Sequence, residues 1–230
     1  MCAREKSKMK NEKLLVVKAN SLIQKSRYKL SLQEQKIILY LISKIMPNDT
    51  ELKEYKFSII EFCELCGIDY QQNKQTHAYI KQVIKNLADK SEWIELDEVE
   101  TLIRWIAKAR ITKRSGIITI KLDEDLMPYL LELKKNYTKY QLQNIIPMKS
   151  KYGIRLYELL KSYLNLGKVR FSIEELKIRL DSTNYTNLKD FRRRVLEPAL
   201  KDIEVYSDLT VEPVFIKAKN KCVAIEFILH

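Results

Sequence analysis

The chain has 230 residues, 46% of them hydrophobic, and a formal net charge of +12. That is enough for one large domain or two small ones with a buried core, and only four glycines argue against a loop-rich or Rossmann-like protein. No apolar run is long enough to cross a membrane, and the basic N-terminus lacks a signal peptide's apolar stretch, so a cytoplasmic protein is expected.

Residues 1–13 read as a basic arm, disordered on its own, and Leu14–Val17 as a strand that can join a sheet. A helix follows over residues 31–45, with Leu39-Tyr40 inside it. Phe57-Ser58-Ile59-Ile60-Glu61-Phe62 opens a short helix, with Ser58 as its N-cap. Within it Cys63 and Cys66 form a C-x-x-C. A zinc site needs a second such pair, and Cys2, Cys222, His77 and His230 do not supply one, so the two thiols read as small buried hydrophobes and no metal or cofactor is expected. The next helix spans about 75–90, with Thr76 as its cap and Ile80, Val83, Ile84 and Leu87 as core. Gln75, Gln82 and Lys85 face outward with Lys81 beside them, which suits DNA phosphate contacts; His77 reads as a surface residue.

Alternation then predicts a hairpin. Ile103, Trp105, Ala107, Ala109 and Ile111 share one face, Lys113-Arg114-Ser115-Gly116 turns, and Ile117–Leu122 returns. Lys113 and Arg114 at the tip are candidate phosphate contacts. Residues 123–145 form a helix and a connection, and Pro147 marks the approach to what comes next.

The pattern repeats. A helix over 151–164 carries Leu156-Tyr157, and Phe171-Ser172-Ile173-Glu174-Glu175-Leu176 matches the earlier Phe-Ser segment, with Ser172 as N-cap. A long helix begins after Asn187. Leu188, Phe191, Val195, Leu196, Ala199, Leu200 and Ile203 form its apolar side, while Arg193 and Arg194 lie opposite, beside Asn187, Asp190 and Lys201. Arginine offers paired donors to a guanine edge, so Arg193 and Arg194 are the base-reading candidates, joined by Asn187 and Lys189 at the helix start. Arg192 projects toward the buried side by helical angle and is expected to pack its stem and snorkel outward. Pro198 is expected to kink the helix without ending it. A second hairpin, Leu209–Ile216 and Cys222–Leu229, turns through Lys217-Ala218-Lys219-Asn220-Lys221. Lys201, Lys217, Lys219 and Lys221 are phosphate candidates, as are Lys149 and Lys151 at the N-terminus of the preceding helix.

Helix, short helix, long helix, β-hairpin is the order of a winged helix. The predicted fold is therefore α+β: tandem duplicated winged-helix domains, each a helix-turn-helix core with a β-hairpin wing. The expected domains are 14–145, with backbone contacts, and 146–230, the main DNA reader. Charge supports the division: residues 1–29 carry +7, residues 30–145 sum to zero and residues 146–230 carry +5. Such asymmetry favours a polyanionic partner.

Three segments, in order, carry a resemblance to a known family. They are Val17-Lys18-Ala19-Asn20-Ser21-Leu22 followed by Leu30 to Lys36, then Lys149-Ser150-Lys151-Tyr152-Gly153-Ile154-Arg155-Leu156-Tyr157-Glu158-Leu159-Leu160, then Phe191 through Ala199. The chain resembles the iteron-binding plasmid replication initiators of the Rep type, which start theta replication. The resemblance implies tandem winged-helix domains and a monomer that binds direct-repeat iterons in the origin. It implies help in opening AT-rich DNA and recruitment of host replication proteins (the helicase or its loader, and the host initiator). It also implies a dimer, held largely by the N-terminal domain, that represses its own gene.

An enzyme is not expected. No Gly-x-x-x-x-Gly-Lys occurs, and the two histidines are too far apart in sequence to form the metal-binding pair of a rolling-circle initiator. Tyr79, Tyr152 and Tyr157 sit at helical packing positions. The alternative class is a winged-helix transcriptional regulator without an initiator role.

Overall fold

The structure, a computed structural model, describes residues 14–27, 29–70, 74–96, 98–112, 115–219 and 221–230. The basic arm 1–13 and the predicted contacts Lys113 and Arg114 lie outside the described residues.

The chain opens with β1 (Leu15–Ala19), α1 (Asn20–Lys25) and α2 (Leu32–Ile42). Next come β2 (Glu54–Ser58), α3 (Ile59–Cys66), α4 (Lys74–Ala88), β3 (Ser91–Leu96), β4 (Val99–Arg104), β5 (Ile106–Thr112) and β6 (Ile117–Leu122). A connection of α5 (Met127–Leu130) and β7 (Tyr137–Gln141) leads to α6 (Lys151–Lys161). The second half continues through β8 (Lys168–Ser172), α7 (Ile173–Arg179), α8 (Leu188–Phe191), a π turn over Arg192–Leu196, α9 (Glu197–Tyr206), β9 (Val211–Ala218) and β10 (Lys221–Leu229). The repeat is thus visible as α2, β2, α3, α4, β5, β6 against α6, β8, α7, α8–α9, β9, β10.

Local chemistry sets the helix starts. Ser31 and Ser58 each close a capping box: Glu34 and Glu61 accept the cap N–H while the serine hydroxyl accepts theirs. The Ser172 hydroxyl caps α7, accepting from the Glu175 N–H at 3.1 Å. Gly67 ends α3 at φ 67, a left-handed position that suits glycine. By contrast α4 already includes Lys74, so Thr76 lies inside the helix and does not cap it.

Each wing is a three-stranded antiparallel sheet, ordered β2-β6-β5 in the first half and β8-β10-β9 in the second. The strand just ahead of each short helix pairs with the return strand of the hairpin. The first hairpin differs from the alternation prediction. Residues 103–112 are not one strand: the chain breaks at Trp105, so β4 pairs with β3 and β5 with β6. Register also slips between Ile106 and Lys108. Ala107 and Ala109, expected on the buried face, are therefore exposed. β3 and β4 form an additional two-stranded hairpin between α4 and the wing.

A single apolar core runs through both halves, from Leu22 and Ile37 to Leu156, Phe191 and Phe227. β1 pairs antiparallel with β7. Polar groups also tie the halves together. Gln35 Nε2 donates to the Lys151 carbonyl at 3.1 Å, and Arg155 Nη2 to the Ser26 carbonyl at 2.7 Å. Arg179 donates to the Gln24 carbonyl.

Candidate nucleic-acid interface

The second half exposes several basic side chains on its long helix and wing. Asn187 begins the helix as its N-cap, its Oδ1 accepting the Asp190 N–H at 2.8 Å. Its amide nitrogen also donates to Asp190 Oδ2 at 2.7 Å. Both ends of this predicted base contact are thus engaged in the cap. The hydrogen bond from Asn187, then the charges of Arg193 and Arg194, hold the Asp190 carboxyl below its usual pKa.

Phe191, Val195, Leu196 and Ala199 are buried, while Arg192, Arg193 and Arg194 are all exposed. Arg193 leans on Asp190 at 3.2 Å, and the Arg194 guanidinium makes no hydrogen bond or ion pair among the described residues. Lys189 and Lys201 are exposed on the same helix. Arg192, expected to pack its stem and snorkel outward, is exposed and reaches the wing. Its guanidinium carbon lies 4.9 Å from the centre of the Phe215 ring on β9, and its Nε pairs with Glu197 at 2.9 Å. It braces the helix against the wing through a cation–π contact. Helical angle alone missed that role, because the turn is wider than an α turn.

Lys217, Lys219 and Lys221 are exposed around the wing tip, where Lys219 adopts φ 48. Arg170, on the edge strand β8, is paired with Glu226 of β10 at 2.9 Å. Helix and wing therefore place Arg193, Arg194, Lys189, Lys201 and three wing lysines within one half of the molecule. Of these, only Arg193 has an acidic partner among the described residues, and that pair is exposed, so the groups can meet phosphates and base edges.

The predicted phosphate site at the start of α6 is already filled. The backbone N–H groups of Lys149 and Ser150 donate to Asp202 Oδ2 at 2.8 and 2.6 Å. Ser150 Oγ accepts from Tyr152 and Gly153. A carboxylate from α9 occupies the anion position, so this helix end offers nothing to a phosphate. The Lys151 ammonium is paired with Asp181 at 3.0 Å, which leaves the exposed Lys149 side chain as the cation remaining there.

The first half is less cationic on its matching helix. Gln75, Lys81, Gln82 and Lys85 are exposed on α4, but Lys85 is paired with Asp89 at 2.6 Å and Gln82 with Asn86 at 2.6 Å. Tyr79, expected in the core, is 45% exposed on this face, since Ile80, Val83, Ile84 and Leu87 alone fill the buried stripe. Tyr157 is buried, and Tyr152 half-buried.

Nothing in this arrangement resembles a metal or redox centre. Among the described residues no group of three or more His, Cys, Asp or Glu side chains could hold a metal ion. Cys63 and Cys66 are buried on α3, and burial pushes the Cys66 thiol up to about 12 despite the nearby Lys36 ammonium. Among the described residues no helix is long and apolar enough to cross a membrane.

Two family models match the chain in tandem. "Initiator Replication protein, WH1" covers residues 15–161, and "Initiator Rep protein, WH2" covers residues 172–229. A curated "Replication initiation protein" of Escherichia coli is 27% identical over 208 residues, which is 85% of this chain and 64% of that protein's length. The chain thus spans 64% of that relative. Among solved structures, that of Pi initiator protein in complex with iteron DNA matches with a TM-score of 0.74 at 18% identity, covering 95% of this chain and 98% of that one. Domains 2 and 3 of RctB match with a TM-score of 0.50 at 11% identity, covering 86% and 82%. At these identities the solved structures speak for the fold, two winged-helix domains in tandem. With both models in order along most of its length, this chain belongs to the initiator replication (Rep) protein family, built as WH1 followed by WH2.

Proposed function

We propose that this protein initiates plasmid replication by binding direct-repeat iterons in the origin as a monomer. The second domain (146–230) reads bases through Arg193 and Arg194 in the major groove. Lys189, Lys201 and the wing lysines Lys217, Lys219 and Lys221 hold phosphates. The first domain (14–145) adds backbone contacts from Gln75, Lys81 and Gln82 on α4. The observation that carries this reading is the pair Arg193 and Arg194, exposed opposite the buried stripe of the helix and beside a basic wing, in a member of the initiator family. The match to a structure solved with iteron DNA supports it.

The first domain also holds the dimer contact of the form that represses the protein's own gene. Its β3–β4 hairpin supports that reading. Trp93 and Leu102 pair across it on one face and are 60% and 44% exposed. Neither outer edge of this hairpin is paired among the described residues, so a second copy can cover both its apolar face and an edge. The working compartment is the cytoplasm, and host replication proteins are the further partners.

Footprinting on the DNA flanking the gene tests the reading. Protection of several regularly spaced direct repeats is the expected result. Protection of a lone palindrome would make the protein a winged-helix regulator, and no protection would end the DNA-binding reading.

A further inference from the structure

We propose that Pro198 is a positioning residue for DNA reading: by forcing the wide turn over Arg192–Leu196, it moves Arg192 out of the core side onto the wing and so fixes the pose in which Arg193 and Arg194 are presented. The inference rests on the base-reading role given above to Arg193 and Arg194.

A regular α-helix turns about 100° per residue. Counted from Phe191 at that step, Arg192 would point within roughly 40° of the mean direction of Phe191, Val195, Leu196 and Ala199, all of them buried. A guanidinium would be driven into the core. The observed turn closes differently, with the Glu197 N–H donating to the Arg192 carbonyl, five residues back. Such a turn advances roughly 80° per residue. Phe191, Val195, Leu196 and Ala199 then converge on one direction. Arg193 and Arg194 face away from them, as they would at the regular step, but Arg192 moves to the flank, where it meets Phe215.

The cause lies six residues past the first arginine. Pro198, in the first turn of α9, has no N–H to give the Arg194 carbonyl, and its ring crowds that carbonyl. A regular turn cannot close there. Both flanks are fixed: Asn187 caps the start and Phe191 is buried, while Ala199 and Ile203 are buried and Asp202 holds the start of α6. The extra residue is therefore accommodated in the arc that carries the arginines. π turns of this kind recur at functional sites, and here a sequence cause and a geometric effect coincide.

The test uses the full chain, the repeat found by footprinting and an unrelated duplex of equal length. Pro198→Ala restores the missing donor. Its melting temperature is expected to stay or rise, while affinity for the repeat falls tenfold or more and affinity for the unrelated duplex changes less than twofold. A second variant joins Pro198→Ala to deletion of Arg192, so that an unbroken α-helix links the same core residues. It is compared with Arg192→Ala, which keeps Pro198 and loses the guanidinium with its contacts to Phe215 and Glu197. The deletion variant is expected to lose selectivity, and Arg192→Ala to weaken both duplexes alike. Wild-type selectivity in Pro198→Ala, or equal behaviour of the deletion variant and Arg192→Ala, would overturn the proposal. If Arg193→Ala and Arg194→Ala keep full selectivity, the base-reading role itself falls; if they lose it while Pro198→Ala does not, only the positioning role falls.

Discussion

Lys18 of β1 donates to Glu158 of α6 at 2.6 Å, and both side chains are 1% exposed. The pair joins an N-terminal strand to the first helix of the second half, and the Tyr140 hydroxyl donates to the same carboxylate oxygen. Burial pushes the Glu158 carboxyl up, but the charge and hydrogen bond of Lys18, with the Tyr140 hydroxyl, outweigh it and hold the group below its usual pKa. The orientation of the two winged helices is therefore fixed by charge as well as by apolar packing.

Breaking that pair from one side leaves a buried charge. Lys18→Met is expected to lower stability by about 3–5 kcal/mol, while Lys18→Met with Glu158→Leu recovers most of it. The pH dependence follows from the lowered carboxyl pKa. The stabilisation is complete above the unfolded value of about 4.3 and is lost as pH falls through the folded value. Urea unfolding from pH 7 to 3 should show the gap between wild type and the single variant closing in acid. A pH-independent gap would remove the pair from the account.

Gly153 is held in place by its neighbour. A Cβ there would sit 3.0 Å from both Cβ and Oδ2 of Asp202, whose carboxylate is anchored on the N–H groups of Lys149 and Ser150. Glycine to alanine inside a helix ordinarily stabilises by about 0.5–1 kcal/mol. Gly153→Ala should instead destabilise by about 1–3 kcal/mol. A raised melting temperature would contradict this.

Trp93→Ser with Leu102→Ser should shift the protein toward monomer in sedimentation equilibrium. Because both side chains are exposed, fold stability should change by no more than about 0.5 kcal/mol. Binding to a single repeat should persist. An unchanged dimer would move the contact away from the β3–β4 hairpin.

Lys219→Ala should weaken binding to the repeat and to unrelated DNA alike, and lower the salt slope by about 0.9. Alanine at φ 48 is strained much as lysine is, so the comparison isolates the charge. Lys151→Ala should leave the slope unchanged, because Asp181 already holds that ammonium. Equal slopes for all three proteins would take the wing out of the interface.

Local signals made much of this fold readable before any coordinates. Ser58 and Ser172 cap their helices as the Phe-Ser pattern implies, and Ile80, Val83, Ile84 and Leu87 line one buried stripe at helical spacing. What escaped depends on partners distant in sequence. The strands β2 and β8 are five residues each and acquire meaning only against β6 and β10. The β3–β4 hairpin hides because Trp93, Val99 and Leu102 point outward and blur the alternation. At the candidate interface, Arg193 and Arg194 were legible from the apolar stripe opposite them. The flank position of Arg192 was not, because angle counting assumes a uniform helix and Pro198 breaks that uniformity. Nor could the sequence show that Asp202 occupies the start of α6, since that contact joins positions more than fifty residues apart.

The most direct measurement is the affinity of wild type, Arg193→Ala and Arg194→Ala for the footprinted repeat and for a scrambled duplex at one fixed salt concentration. Each substitution should cost about 1–3 kcal/mol on the repeat and far less on the scrambled duplex, so that selectivity collapses. Equal losses on both duplexes would reduce the two arginines to phosphate contacts and contradict the assignment of base reading to this helix.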